Sequence, residues 1–274
     1  MLNYAHVWFG LAVLMYTKNV AALSCRPQLL SVKDKAYTAV MVVPTGVGAS
    51  IGGYAGDALP SAKLLASVAD VLITHPNVMN GAMLYWPVPN VLYVEGYALD
   101  EFAAGHLSLQ PPGTRGNKIG LLLDRGIEED LLQRHVQVAD AFRATLGINV
   151  AAAVVTSGPI GVTTYLASSG ASWGSVDNVD ALLEAARELV HAGCDAIAVV
   201  TRFPEDEEDR SEGADRTENA EGVAYSVNTT ADMFSAYRLG QGVDAIAGAE
   251  ALISHVITKN LGVPCAHAPA FRYV

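Results

Sequence analysis

Past Tyr37 the chain alternates between short apolar runs and longer stretches whose apolar residues recur every three or four positions. The runs Ala39–Val43, Val71–Thr74, Val91–Val94, Ile119–Leu123, Asn149–Val155, Ala196–Thr201 and a last one near Val263–Ala266 predict strands. Between them, residues 178–191 place Val179, Leu182, Leu183, Ala186, Leu189 and Val190 on one helical face, with Asp177 or Asn178 to cap the start and Gly193 to close the end. Glu129–Leu146 repeats the pattern with Leu131, Leu132, Val138, Phe142 and Leu146, and Gly147 terminates it. Continuous apolar strands alternating with amphipathic helices predict an α/β protein: a mostly parallel, Rossmann-like sheet with helices on both faces. A short echo between Val42-Val43-Pro44-Thr45-Gly46 and Val154-Val155-Thr156-Ser157-Gly158 raises the option of two similar halves around a cleft, although chance explains so brief a match. Residues 1–36 read as an apolar N-terminal extension and 37–274 as a single α/β domain, with a seam near 111–116, Pro-Pro-Gly-Thr-Arg-Gly.

Where the first strand ends, the pattern gives way to glycine: Thr45-Gly46-Val47-Gly48-Ala49-Ser50-Ile51-Gly52-Gly53-Tyr54-Ala55-Gly56-Asp57. A loop this poor in side chains exposes backbone N–H groups at the carboxyl edge of a sheet, where anions and cofactors are held. Thr45, Gly46, Gly48, Ser50, Gly52 and Gly53 are therefore expected to bind substrate. A dinucleotide fingerprint would need an acidic residue at the end of the following strand. That strand ends Leu72-Ile73-Thr74-His75-Pro76, without a carboxylate, which favours a small-ligand cradle.

Other polar groups gather at predicted strand ends. His75 is an acid–base candidate or a ring that caps a turn, and Asn77 and Asn80 follow it as binding candidates. Glu95 ends the third strand. Arg202 ends the sixth, placed to clamp an anion or to pair with the acidic stretch 205–228, which reads as a long exposed loop or a lid. Residues 168–175 read as a binding loop with Trp173 as its wall. The segment Gly240–Glu250 leads into a helix bearing Ser254 and His255, and then into Pro264-Cys265-Ala266-His267. Cys265 and His267 alternate on a strand and share a face, so they suit a nucleophile and its base, two metal ligands, or an inert core thiol beside a structural histidine. A divalent metal would draw on His267 with Asp244 or Glu250. No cofactor is firmly implied.

Composition narrows the class. Half the residues are hydrophobic (51%), only 16% are charged, and mean hydropathy is +0.28, which fits a well-buried sheet and an oligomer-forming surface. A formal charge of −11 offers no basic face for nucleic acid. Three widely spaced cysteines, Cys25, Cys194 and Cys265, imply neither a disulfide framework nor a metal cage, and a reducing cytoplasm is the expected location. The apolar stretch Tyr4–Leu23 is interrupted by Lys18 and is preceded only by His6. It is read as a helix packed on the domain or on a partner subunit rather than a membrane span or leader, although Ala22-Leu23-Ser24-Cys25 faintly resembles a lipoprotein cleavage box.

The segments 43–57, 73–82 (Ile-Thr-His-Pro-Asn-Val-Met-Asn-Gly-Ala), 169–174 (Ser-Gly-Ala-Ser-Trp-Gly) and 242–255, with Pro-Cys-Ala-His-Ala-Pro at 264–269, together resemble a family known only as a domain of unknown function. The resemblance runs from about Tyr37 to near the end. Where that family reads Asp-Pro-Ile, this chain has Asp244-Ala245-Ile246. It implies a shared architecture and a shared site and brings no reaction. The expectation is a homo-oligomeric, non-redox enzyme (a lyase, isomerase, cyclase or hydrolase) acting on a small polar or anionic metabolite, with no nucleic-acid or membrane partner. His75, Glu95, His255, His267 and Cys265 are its candidate catalytic groups. The alternatives are a non-catalytic ligand-binding module and an NAD(P)-dependent oxidoreductase.

Overall fold

The structure is a computed structural model, and it describes residues 22–23, 37–42, 58–75, 88–110, 116–166, 172–204 and 246–271. In chain order these hold β1 (Ala22–Leu23), β2 (Thr38–Val40), α1 (Ala58–Ala66), β3 (Val71–Thr74), β4 (Val91–Tyr93), α2 (Gly96–Ala103), β5 (Leu109–Gln110), β6 (Ile119–Leu123), α3 (Glu129–Leu146), β7 (Val150–Val155), β8 (Val162–Leu166), β9 (Ser172–Val176), α4 (Val179–His191), β10 (Ala196–Arg202), α5 (Ala247–Leu261) and β11 (Cys265–Ala270). The class is α/β with mostly parallel sheets. The glycine stretch 43–57, Asn77, Asn80, the seam at 111–115, the acidic stretch 205–228 and Asp244 lie outside the described residues.

Four strands form one parallel sheet in the order β11-β10-β6-β7. β6 is buried along its whole length, as its unbroken Ile-Gly-Leu-Leu-Leu run requires. Helix α3 covers one face through Leu131, Ala139 and Phe142, while α4 and α5 cover the other through Leu182, Leu189, Ile253 and Ile257. The helix ends follow the chain's own signals. The Asn178 side chain accepts a hydrogen bond from the Ala181 N–H, and Gly147 takes the left-handed conformation (φ 66°) that stops α3.

β2, β3 and β4 form a second parallel sheet in that order. One apolar core joins the two sheets: Leu72, Val91 and Tyr93 pack in the same cluster as Leu121, Ala198 and Ala266. The buried Tyr93 hydroxyl donates to the Cys265 carbonyl across the junction at 3.2 Å. Helix α2 closes the other face of the smaller sheet with Ala98 and Leu99 against Ile73 and Leu92.

Three elements differ from expectation. The segment around Trp173 is not a loop but strand β9, hairpinned antiparallel to β8 with Trp173 opposite Tyr165. Its small residues serve packing, since a Cβ on Gly174 would overlap Ala249 of α5. β11 starts later and runs on through Pro269 to Ala270; it is the terminal strand of its sheet, where a residue lacking an N–H is tolerated. The described part of the apolar N-terminal stretch is strand, not helix, because Ala22 and Leu23 pair with the short strand β5.

Candidate functional site

The carboxyl end of β4 runs directly into α2 through Val94 and Glu95. Glu95 is the N-cap residue: its backbone is extended (φ −61°, ψ 145°) and its Oε2 accepts the Tyr97 N–H at 2.8 Å. The cap fixes the carboxylate at the positive end of a helix with 3% of the residue exposed. Oε1 lies 2.6 Å from Nδ1 of His255, which arrives from α5. The hydrogen bond to Glu95 raises the His255 pKa above its usual value; burial opposes this, and the charges of Glu95 and Asp100 add to the rise. Gly96 makes the approach possible, since a Cβ there would stand 3.1 Å from His255 Cε1. The Tyr97 ring meets the imidazole edge-on, with centroids 5.9 Å apart.

His75 follows the last residue of the neighbouring β3 and is 5% exposed. Burial lowers its pKa, while Asp100 and Glu95 pull in the opposite direction. The same two carboxylates favour the charged form of both rings, and the balance differs: the hydrogen bond to Glu95 carries His255 toward the imidazolium, while burial carries His75 toward the neutral ring. Opposed shifts of this kind mark a division into acid and base.

A second imidazole–carboxylate pair lies where α5 crosses β11. His267, 6% exposed, sits opposite Val199 in the sheet and shares a face with Cys265, as strand alternation requires. Its Nδ1 lies 2.8 Å from Ser254 Oγ, and its Nε2 lies 3.6 Å from Glu250 Oε2. Ser254 donates to the Glu250 carbonyl at 3.1 Å, a bond back along the helix that offers its lone pair to the ring. The Cys265 thiol is held apart from this chemistry. Complete burial pushes its pKa well up, and its weak hydrogen bond goes to the Ala266 carbonyl at 3.8 Å.

The remaining candidates lie elsewhere. The Arg202 guanidinium meets Glu128, just ahead of α3, at 3.1 Å and donates to the Phe203 carbonyl. Trp173 is 54% exposed on the hairpin. Among the described residues no group of three or more His, Cys, Asp or Glu is disposed to hold a metal. Sequence reasoning missed Asp124, Ser254 as the partner of His267, and the phenol of Tyr93. Asp124 is a single acidic residue directly after a fully apolar strand. Ser254 belongs to a polar row, Glu250, Ser254 and Thr258, spaced by four on an otherwise apolar helix. Both signals were present.

The family described as "Protein of unknown function (DUF3326)" matches residues 38–227 and 215–274. A protein of Synechococcus sp., named only as an uncharacterized lipoprotein, is 56% identical over 238 residues, covering 87% of this chain. The chain spans 60% of that relative's length. No solved structure matches. The relative's name overturns the expectation of a cytoplasmic location. No described helix is long and apolar enough to cross a membrane.

Proposed function

The chain belongs to the family Protein of unknown function (DUF3326), whose kinship carries no reaction, and we propose one from the site: general acid–base catalysis on a small polar metabolite at the carboxyl end of β3 and β4. The observation that carries this is the capped Glu95 carboxylate 2.6 Å from His255 Nδ1, with the buried His75 directly after the neighbouring strand β3; the opposed pKa directions of the two histidines support it. Glu95 anchors the pair. Its carboxylate is preorganised by the helix cap, so it can hold His255 protonated without reorganising when a proton moves. His255, with 41% of its side chain exposed, donates to the developing negative charge, and neutral His75 accepts the proton removed. The step classes that need only such a pair are lyase, isomerase, cyclase and hydrolase steps.

The test is consumption of a component of a small-metabolite extract by the purified chain, followed by mass spectrometry. His75→Asn and His255→Asn are expected to abolish it while circular dichroism stays unchanged. Unchanged consumption in both variants would overturn the proposal. A component retained without chemical change would make the protein a binding module. The pH profile is expected to be bell-shaped, with its maximum around the ordinary histidine value. The acid limb falls below the ordinary histidine value because His75 must be neutral, and the basic limb falls above it because His255 must be charged.

The relative's name supports a second proposal, on where the protein works: Cys25, which follows Ala22-Leu23-Ser24, carries a lipid. An alkyne-bearing fatty acid fed to expressing cells is expected to label the wild type and not Cys25→Ser. Cleavage ahead of Cys25 would also remove the β1–β5 pairing, so the mass of the N-terminal peptide reads both events. An unmodified full-length mass would contradict it.

A further inference from the structure

Helix α5 carries two stripes. Ala249, Ile253 and Ile257 form the apolar one; Glu250, Ser254 and Thr258 form a polar one beside it, and all six residues are buried. Polar side chains are rarely sunk on one helical stripe without partners, and those present here are partly consumed. Ser254 is saturated by His267 and by the Glu250 carbonyl, and Glu250 Oε2 faces His267 Nε2. The other carboxylate oxygen, Oε1, and the Thr258 hydroxyl are buried with no hydrogen-bond partner among the described residues. Glu250 is 6% exposed. A buried carboxylate oxygen without a donor is destabilising, so its persistence points to a donor supplied by a ligand.

The surroundings decide what kind of donor. The carboxylates of both Glu95 and Glu250 act on the Tyr93 phenol: burial raises its pKa foremost, and Glu95, Cys265 and Glu250 raise it further. The two acids therefore flank one seam, between β4 with the start of α2 on one side and α5 with β11 on the other. Tyr93 lies within reach of both acids, His267 of β11 faces Glu250 at 3.6 Å, and His255, on α5 itself, turns to Glu95 instead. Glu95 is already matched by His255 and Glu250 Oε2 by His267, so Oε1 is the acceptor that no described group serves. The field there is negative. An anionic ligand group would be repelled, and a protonated amine supplies both the missing donors and the missing charge.

We propose that Glu250 Oε1 is the docking point for a protonated amine on the substrate, with His267 as a positioning residue that holds Oε2 and Ser254 as the residue that holds His267. This rests on the acid–base reading of the same site and narrows its substrate to amine-bearing metabolites, away from the anionic ones that the glycine loop suggests. The ordering is chemical. The Ser254 hydroxyl spends its proton on the Glu250 carbonyl and so accepts the Nδ1–H of His267; Nε2 holds Oε2, across 3.6 Å, when the ring carries its second proton as well, and Oε1 is left open.

The probes are n-butylamine and putrescine, with butyrate as the anionic counterpart, titrated into the full chain at pH 7.5 and followed by calorimetry. Both amines are expected to bind, butyrate not, and Glu250→Gln to weaken the amines by about tenfold or more. Because the variant could unfold, the same titration is also read on 15N-histidine-labelled wild type. The His267 Nε2 resonance is expected to move as its partner carboxylate becomes shared. Butyrate binding in preference to the amines, no amine binding, or amine binding that leaves the His267 resonance still would each overturn the proposal. Failure of the acid–base reading looks different: amine binding persists while His75→Asn and His255→Asn leave turnover unchanged.

Discussion

The two parallel sheets each end in a buried acid at their carboxyl edge, and the two acids are used in opposite ways. In the four-stranded sheet the chain turns back between β6 and β10, the switch point where α/β proteins commonly open a ligand crevice. Here Asp124 closes it. Its Oδ1 accepts the Gly126 and Ile160 N–H groups at 2.9 Å each, and its Oδ2 accepts the Arg202 N–H at 3.1 Å, stitching three loops together. Burial raises its pKa while those three bonds hold it down. At the edge of the three-stranded sheet, Glu95 takes one backbone donor and turns its second oxygen to a half-exposed histidine. An acid whose bonds all go to backbone is a fastener. One that keeps an oxygen for a titratable partner is equipped for chemistry.

The sharpest way to break this contrast is to remove each acid. Asp124→Ala leaves three buried N–H donors unpaired and is expected to lower stability by roughly 3–5 kcal/mol in a urea titration. Glu95→Gln keeps the oxygen that caps α2 and is expected to lower stability by about 1 kcal/mol or less, while eliminating turnover. Equal losses from the two would erase the distinction between them.

The structural half also carries an acid sensitivity of its own. His135 is 1% exposed on α3, neither ring nitrogen has a hydrogen-bond partner among the described residues, and burial lowers its pKa to about 4. The unfolded chain binds this proton near pH 6.5, so stability is complete above that value and is lost as pH falls toward 4, by up to ~3 kcal/mol. His135→Leu is expected to flatten that part of the stability–pH curve, with equilibrium unfolding between pH 4 and 7 as the measurement. An unchanged slope would assign the sensitivity to another group.

At the site the sign reverses. The raised His255 pKa means that its pairing with Glu95 stabilises fully below pH 6.5 and is lost as pH climbs through the raised value. Because the side chain is 41% exposed, solvent screening holds this to under about 1 kcal/mol, and His255→Asn is expected to remove the alkaline loss. The smallest effect is expected from Gly96→Ala. The added methyl presses on His255 Cε1, so thermal stability should shift by no more than about 0.5 kcal/mol while turnover falls several-fold. A stability loss with turnover intact would show that the close approach serves packing alone.

What could be read from the chain follows physical range. Ile119–Leu123 and Val71–Thr74 were legible to the residue because a buried parallel strand is apolar throughout. Glu95 and His75 were legible as polar groups at strand ends, the edge where ligands gather. The meeting of Glu95 with His255 was not, since it depends on α5 crossing α2 some 160 positions along the chain. The hairpin β8–β9 was missed because Ser-Trp-Gly-Ser-Val reads as a turn until Ala249 is seen to need the space at Gly174. The place of Arg202 at a strand end is legible, but nothing local announces Glu128 as its partner.

The central claim is that a capped carboxylate holds His255 up while burial holds its neighbour His75 down, and a histidine-resolved NMR titration of the intact protein tests it most directly. The account predicts that His255 titrates above 6.5 and His75 below it, and that Glu95→Gln brings His255 down. Two histidines titrating together at the ordinary value, or a His255 indifferent to Glu95, would contradict it.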